Sequence, residues 1–133
     1  MDEATTENID AVLEFLPTFE AGGYQPGEWR SHPGQFPYFL FDEKLIEFVG
    51  VLYQHGWVIS FDWPAWRETA ARYTASPEAV AGADLDVIRR LFATHVRQDR
   101  FCDGHLAEMV RDGHIVALLR RLAVIRTTAG ASG

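Results

Sequence analysis

One spacing recurs four times along this 133-residue chain and restricts it more than any other feature. Apolar residues fall at i, i+3, i+4 and i+7 in Ile9, Val12, Leu13 and Leu16, and again in Leu45, Phe48, Val49 and Leu52. The same offsets hold Ile88, Leu91, Phe92 and His95, then Ile115, Leu118, Leu119 and Leu122. Such a spacing lays one apolar stripe along a helix and cannot serve a strand, whose faces alternate every second residue.

Start and stop residues fit these stripes. Thr5 or Thr6 is placed to cap the first helix and Pro17 to stop or kink it. Asp42 caps the second and Gly56 ends it. Asp84 or Asp86 opens the third, and Gly113 precedes the fourth. Two shorter helices fit between them, from about Trp63 to Tyr73 and from about His105 to Asp112. The segment from 19 to 38 is rich in Gly, Pro and aromatics and reads as a long loop, with Tyr24, Trp29, Phe36 and Tyr38 packing much of it onto the core. Val58 to Phe61 reads as a strand turn or a buried connector. The expected fold is all-α: an irregular bundle of five or six helices over residues 1–126, followed by a flexible polar tail at 127–133.

A chain of this length buries about two-thirds of its surface, enough for one self-sufficient domain. Its single cysteine, Cys102, excludes an internal disulfide and a multi-cysteine metal cluster. With no signal-peptide pattern at the N-terminus and no membrane-length apolar run, the expected setting is cytoplasmic. Net charge is −7, split into −9 up to Trp66 and +2 beyond it, where the arginines concentrate. So negative a whole disfavours nucleic acid as a partner, while leaving room for a local anion site.

The densest polar run is Arg97-Gln98-Asp99-Arg100-Phe101-Cys102-Asp103-Gly104-His105-Leu106, which reads as a helix end, a tight turn and a new helix capped by Asp103. Arg97 and Arg100 offer bidentate donors for phosphate or carboxylate. His105, in a first turn, would be a neutral donor or base. Against this, Arg100 can simply pair with neighbouring acids or carbonyls and staple two helices. Asp99 and His105 are the candidate acid–base residues; Arg97, Arg100, His105 and Trp63 are the candidate binding residues. His95, on an apolar stripe, reads as a buried histidine with one hydrogen bond, though it can meet His105 across the turn. The spacing of His95, His105 and His114 matches no zinc motif, so no metal is assigned. Cys102 can be a nucleophile or a filler of a small apolar pocket. Trp57, Trp63 and Trp66 read chiefly as packing residues; with Trp29 they can also line a cleft. Phosphate-loop, nucleophile-elbow and zinc-protease patterns are absent, and no cofactor is expected.

Phe61-Asp62-Trp63-Pro64-Ala65-Trp66, Ala83-Asp84-Leu85, the Arg97 to Leu106 run, and Gly113-His114-Ile115 ahead of Leu118 to Leu122 together resemble a known family. It is the bacterial domain-of-unknown-function family 6508, and the likeness spans about Phe15 to Leu122. The resemblance implies a small stand-alone bacterial domain, and carries over no activity, substrate, cofactor or catalytic residue. The functional expectation is a small intracellular bacterial binding or interaction domain, with the Arg97–His105 turn as a place to recognise an anionic ligand and with protein partners or a homo-oligomer open. The alternative is a small enzyme using Asp99, Arg100 and His105 on an anionic substrate.

Overall fold

A computed structural model describes the backbone of residues 1–132 and the side chains of residues 1–129. The chain is mainly α, as the periodicity predicts. Six helices have seven residues or more: α1 (Glu3–Leu13), α3 (Glu43–Gln54), α4 (Arg67–Ala75), α6 (Leu85–Asp99), α7 (His105–Arg111) and α8 (His114–Ser132). Two one-turn helices, α2 (Leu16–Glu20) and α5 (Pro77–Ala81), and a 3-10 turn at Pro64–Trp66 complete the helical part. Among the described residues, no helix is long and apolar enough to cross a membrane.

Most boundaries follow local chemistry. Asp42 accepts from the Lys44 N–H at 3.0 Å and Asp84 from the Val87 N–H at 2.9 Å, satisfying donors that the helix itself cannot. Gly56 follows α3 in the left-handed region, with φ at +75°. The first cap differs from expectation. Asp2, not Thr5 or Thr6, caps α1, because its carboxylate reaches the Thr5 N–H at 2.7 Å and a threonine already inside the first turn cannot. Pro17 does not stop α1, which ends at Leu13; it lies in the first turn of α2, where its missing N–H costs nothing. The segment expected as a polar tail is helical through Ser132, where small residues such as Ala129 continue the turn pattern of α8; Gly133 lies outside the described residues.

The larger departure lies in 19–38, which is not a plain loop. Gly27–Arg30 (β1) pairs antiparallel with Tyr38–Phe41 (β2), Gly27 opposite Phe41 and Arg30 opposite Tyr38. Pairing fixes two faces. Phe39 and Phe41 pack toward the core, while Glu28, Arg30, Tyr38 and Leu40 share the outer face. Of the loop aromatics, Tyr24 does pack inward, against Phe19, and its hydroxyl donates to Asp42 at 2.8 Å. Trp29, Phe36 and Tyr38 instead stay exposed; Trp29 meets only the edge of Phe39, centroids 5.5 Å apart, and Tyr38 lies beside His32, so the short hairpin covers little of either ring.

The core forms around Trp57 and Phe92, whose rings meet edge to face at 5.6 Å. Phe48 joins Phe92 to Phe15 and Phe19 by further edge contacts. Trp57 donates its indole N–H to the Asn8 carbonyl at 3.1 Å, so the ring is buried without a stranded donor. α8 packs on α1, α2, α5, α6 and α7, and Ile115, Leu118, Leu119 and Leu122 are all fully buried within the chain. Val58 to Phe61 is a connector, not a strand. Trp57→Ala should cost about 3–5 kcal/mol, from the lost burial and the cavity left behind. Urea unfolding checks this, and a loss under about 1 kcal/mol would mean that the ring is not central.

Candidate functional site

The Arg97–His105 turn does not gather its charges. Arg97, on the last turn of α6, donates to the Ile59 carbonyl at 3.3 Å, toward the 58–61 connector. Arg100 points the other way and donates to the Tyr53 hydroxyl of α3 at 3.1 Å. Trp63 stacks loosely on the exposed ring of Phe101, centroids 5.9 Å apart. It shares no cavity with either arginine. Nor do the tryptophans line a common cleft, since Trp57 is in the core and Trp29 is on the hairpin.

Asp103 does not cap α7. Gly104 is left-handed, with φ at +85°, which leaves Asp103 on the exposed outside of the turn. Asp99 takes the role from seven residues back, accepting the Leu106 N–H at 2.9 Å. Burial pushes the Asp99 carboxyl above its ordinary value, and that same hydrogen bond opposes the rise. Cys102 is exposed and free, so it fills no apolar pocket; the turn carries its side chain outward.

Behind the turn, the ends of three helices bring three imidazoles together. His95 of α6 and His105 of α7 face each other, Nδ1 to Nε2 at 2.9 Å. His114, the first residue of α8, sets its ring nearly perpendicular to that of His95, centroids 4.9 Å apart. His95 and His114 are buried, His105 about half so. The expected single hydrogen bond of His95 is therefore present. Among the described residues, however, its Nε2 has no protein partner, and neither has Nε2 of His114 or the hydroxyl of Thr94. Buried polar atoms are ordinarily paired, which makes this concentration unusual.

Burial sets the charge state of the cluster. It pushes His95 well below its ordinary value, helped by His114 and His105. It pulls His114 down to about 4, with His105 adding to the effect. It lowers His105 too, although Asp99 and Glu108 oppose the shift. Neutral imidazoles also suit the short His95–His105 contact, in which one nitrogen must donate and the other accept.

A cavity of about 300 Å³ reaches this cluster. Arg67, Ala70, Ala71, Thr74 and Ala75 of α4 form one wall; His95, Gln98, His105 and Met109 form the other. On the far side of Thr74, a smaller cavity of about 110 Å³ is lined by Tyr73, Asp112 and His114. Of the residues singled out from sequence, the larger of these two cavities takes His105 and His95. Arg97, Asp99, Arg100 and Trp63 do not line it. Arg67, Gln98 and Thr74 were missed. Their signal was the run Arg67, Ala70, Ala71, Thr74, a helical face of small residues that leaves room beside it. Among the described residues, no group of three His, Cys, Asp or Glu side chains is arranged to hold a metal ion. His95 and His105 turn their nitrogens on each other rather than on a common centre.

Fold and cluster together define a small, mainly helical domain with a neutral three-histidine site at the meeting of α4, α6, α7 and α8. The chain belongs to the family described as a family of unknown function, DUF6508, which matches residues 4–128. No curated protein and no solved structure matches it.

The histidines make stability depend on pH with a definite sign. In the unfolded chain they take up protons near their ordinary 6.5, whereas folded His114 does so only at about 4. Protons thus favour the unfolded state, and the contribution is complete above pH 6.5 and lost as pH falls from there toward 4. Melting temperature should fall across this window, and less steeply for His114→Gln. An equal slope in the variant would remove His114 from the account.

Proposed function

We propose that this chain is a small intracellular bacterial binding domain that takes a small organic anion in the cavity between α4 and α7. The observation that carries the reading is the cavity lining itself. Arg67 is its one permanently charged side chain, His95 and His105 stand opposite as neutral hydrogen-bonding groups, and Ala70, Ala71, Ala75 and Met109 supply apolar wall. An apolar pocket with a few convergent polar groups is the common form of a small-ligand site. At about 300 Å³ it is at the small end of such sites. A carboxylate or phosphate ester with a compact apolar body matches this lining, the anionic end at Arg67 and a hydroxyl or carbonyl at the imidazoles.

This reading moves the anion from Arg97 and Arg100 to Arg67 and keeps His105. Acid–base catalysis by Asp99, Arg100 and His105 has less behind it. The Asp99 carboxylate is engaged by the Leu106 N–H, and the Arg100 guanidinium reaches Tyr53 instead of the cavity. Protein partners remain compatible with either use of the site.

A thermal-shift screen of small carboxylates, sugar phosphates and nucleotides tests the proposal. A ligand at 100 times its dissociation constant stabilises by about 2.7 kcal/mol and raises the midpoint visibly. Arg67→Ala should abolish the shift and Arg100→Ala should keep it. A shift that survives Arg67→Ala and disappears in Arg100→Ala would return the anion to the outer turn and reject the cavity.

A further inference from the structure

The hairpin offers an edge that nothing else in the chain uses. The Asp42 N–H donates to the Pro26 carbonyl at 2.9 Å, which makes 26 and 42 a hydrogen-bonded pair one step beyond the β1–β2 register. Bonded and non-bonded pairs alternate along an antiparallel ladder. Glu28 and Arg30 therefore direct their backbone groups at β2, and Gly27 and Trp29 direct theirs outward. Among the described residues, no other segment pairs with that edge. Beside it, Trp29 is 58% exposed and Phe36 93%.

We propose that a second copy of this chain pairs here, β1 against β1 about a two-fold axis through Trp29, making one four-stranded antiparallel sheet. Three observations converge on this register. The outward N–H and carbonyl of Trp29 fall opposite those of its own counterpart, as a bonded pair requires. Reversing the strand sets Glu28 opposite Arg30 of the other copy, and the two-fold repeats the pair, so Glu28-Trp29-Arg30 is complementary to itself. A parallel arrangement would set like charges side by side. The existing ion pair between Arg30 and Glu28, at 2.6 Å and well exposed, shows that both side chains already occupy the face where the exchange would take place. An unpaired strand edge is a ready template for another strand, and pairing doubles the sheet while covering the Trp29 edge.

The stripe Ile115, Leu118, Leu119 and Leu122, which would be the other route to an oligomer, is fully buried inside the chain. The proposal is independent of the histidine cavity, which lies on α4, α6 and α7.

Sedimentation velocity on the full chain, from low micromolar to near-millimolar concentration, reads the association directly. Wild type should show a reversible monomer–dimer equilibrium. Glu28→Arg and Arg30→Glu should each weaken it about tenfold, since two facing pairs change from attraction to repulsion. The double variant E28R/R30E should recover the wild-type dissociation constant, because the exchange restores every pair. If a reversal does not fold by circular dichroism, Glu28→Gln and Arg30→Gln read the same interaction as a smaller loss. A chain that stays monomeric throughout overturns the proposal. So does a dimer indifferent to both reversals, or one that the double exchange fails to restore.

Discussion

The rest of the fold depends on enclosing one stretch of α6. From Leu91 to Val96 every residue is buried, so the helix has no solvent face there. A helix wrapped on all sides needs partners on all sides. α4, α7 and α8 supply some of them, and Trp57 and Phe48 press on Phe92 from elsewhere. Complete enclosure leaves no choice about the polar members of the stretch. Thr94 and His95 are held inside because their neighbours are, and His105 and His114 gather where two further helices begin against that same segment. The histidine site is thus a by-product of how the core closes.

The turn after α6 has two sides with different tasks. On one side it starts α7 and sets His105 against His95. On the other it supports the hairpin, since Phe39 lies over Gly104, close enough that an added Cβ would approach its ring to 3.1 Å. Gly104 meets two demands at once, a left-handed backbone and no side chain beneath Phe39. Arg97 and Arg100, which look like a ligand clamp in sequence, fasten this turn to the 58–61 connector and to α3.

What could be read in advance follows a physical division. Helices with a stripe and a short polar cap were legible because both signals are local: Asp42, Asp84 and Gly56 act on atoms within a few residues. The hairpin was not, because strands of four residues offer too few positions for alternation, and Tyr38 to Phe41 are apolar at every one. Asp103 was placed as a cap by adjacency, whereas Asp99 holds it through a turn whose shape depends on Gly104. The meeting of His95 and His105 could be foreseen from their closeness along the chain. Arg67 is harder to place, since the small-residue face Arg67, Ala70, Ala71 and Thr74 signals room beside α4 but not the opposite wall that α6 and α7 supply.

The contacts of α8 bear on how the chain acquires its shape during synthesis. Asp10 pairs with Arg126 and Glu20 with Arg120, partners more than a hundred positions along the chain in one case and a hundred in the other. Helices made early in this stretch thus have their apolar faces finished by one made about a hundred residues later. α3 covers part of α1 and α2 through Phe48, but until α8 is made the faces that pack on it stay open, the kind of exposed apolar surface that favours aggregation. So high a sequence separation also slows the closing step itself, because the loop entropy is lost before the long-range contacts repay it. Translation that halts anywhere before α8 leaves a nascent chain with a partial core and no lid.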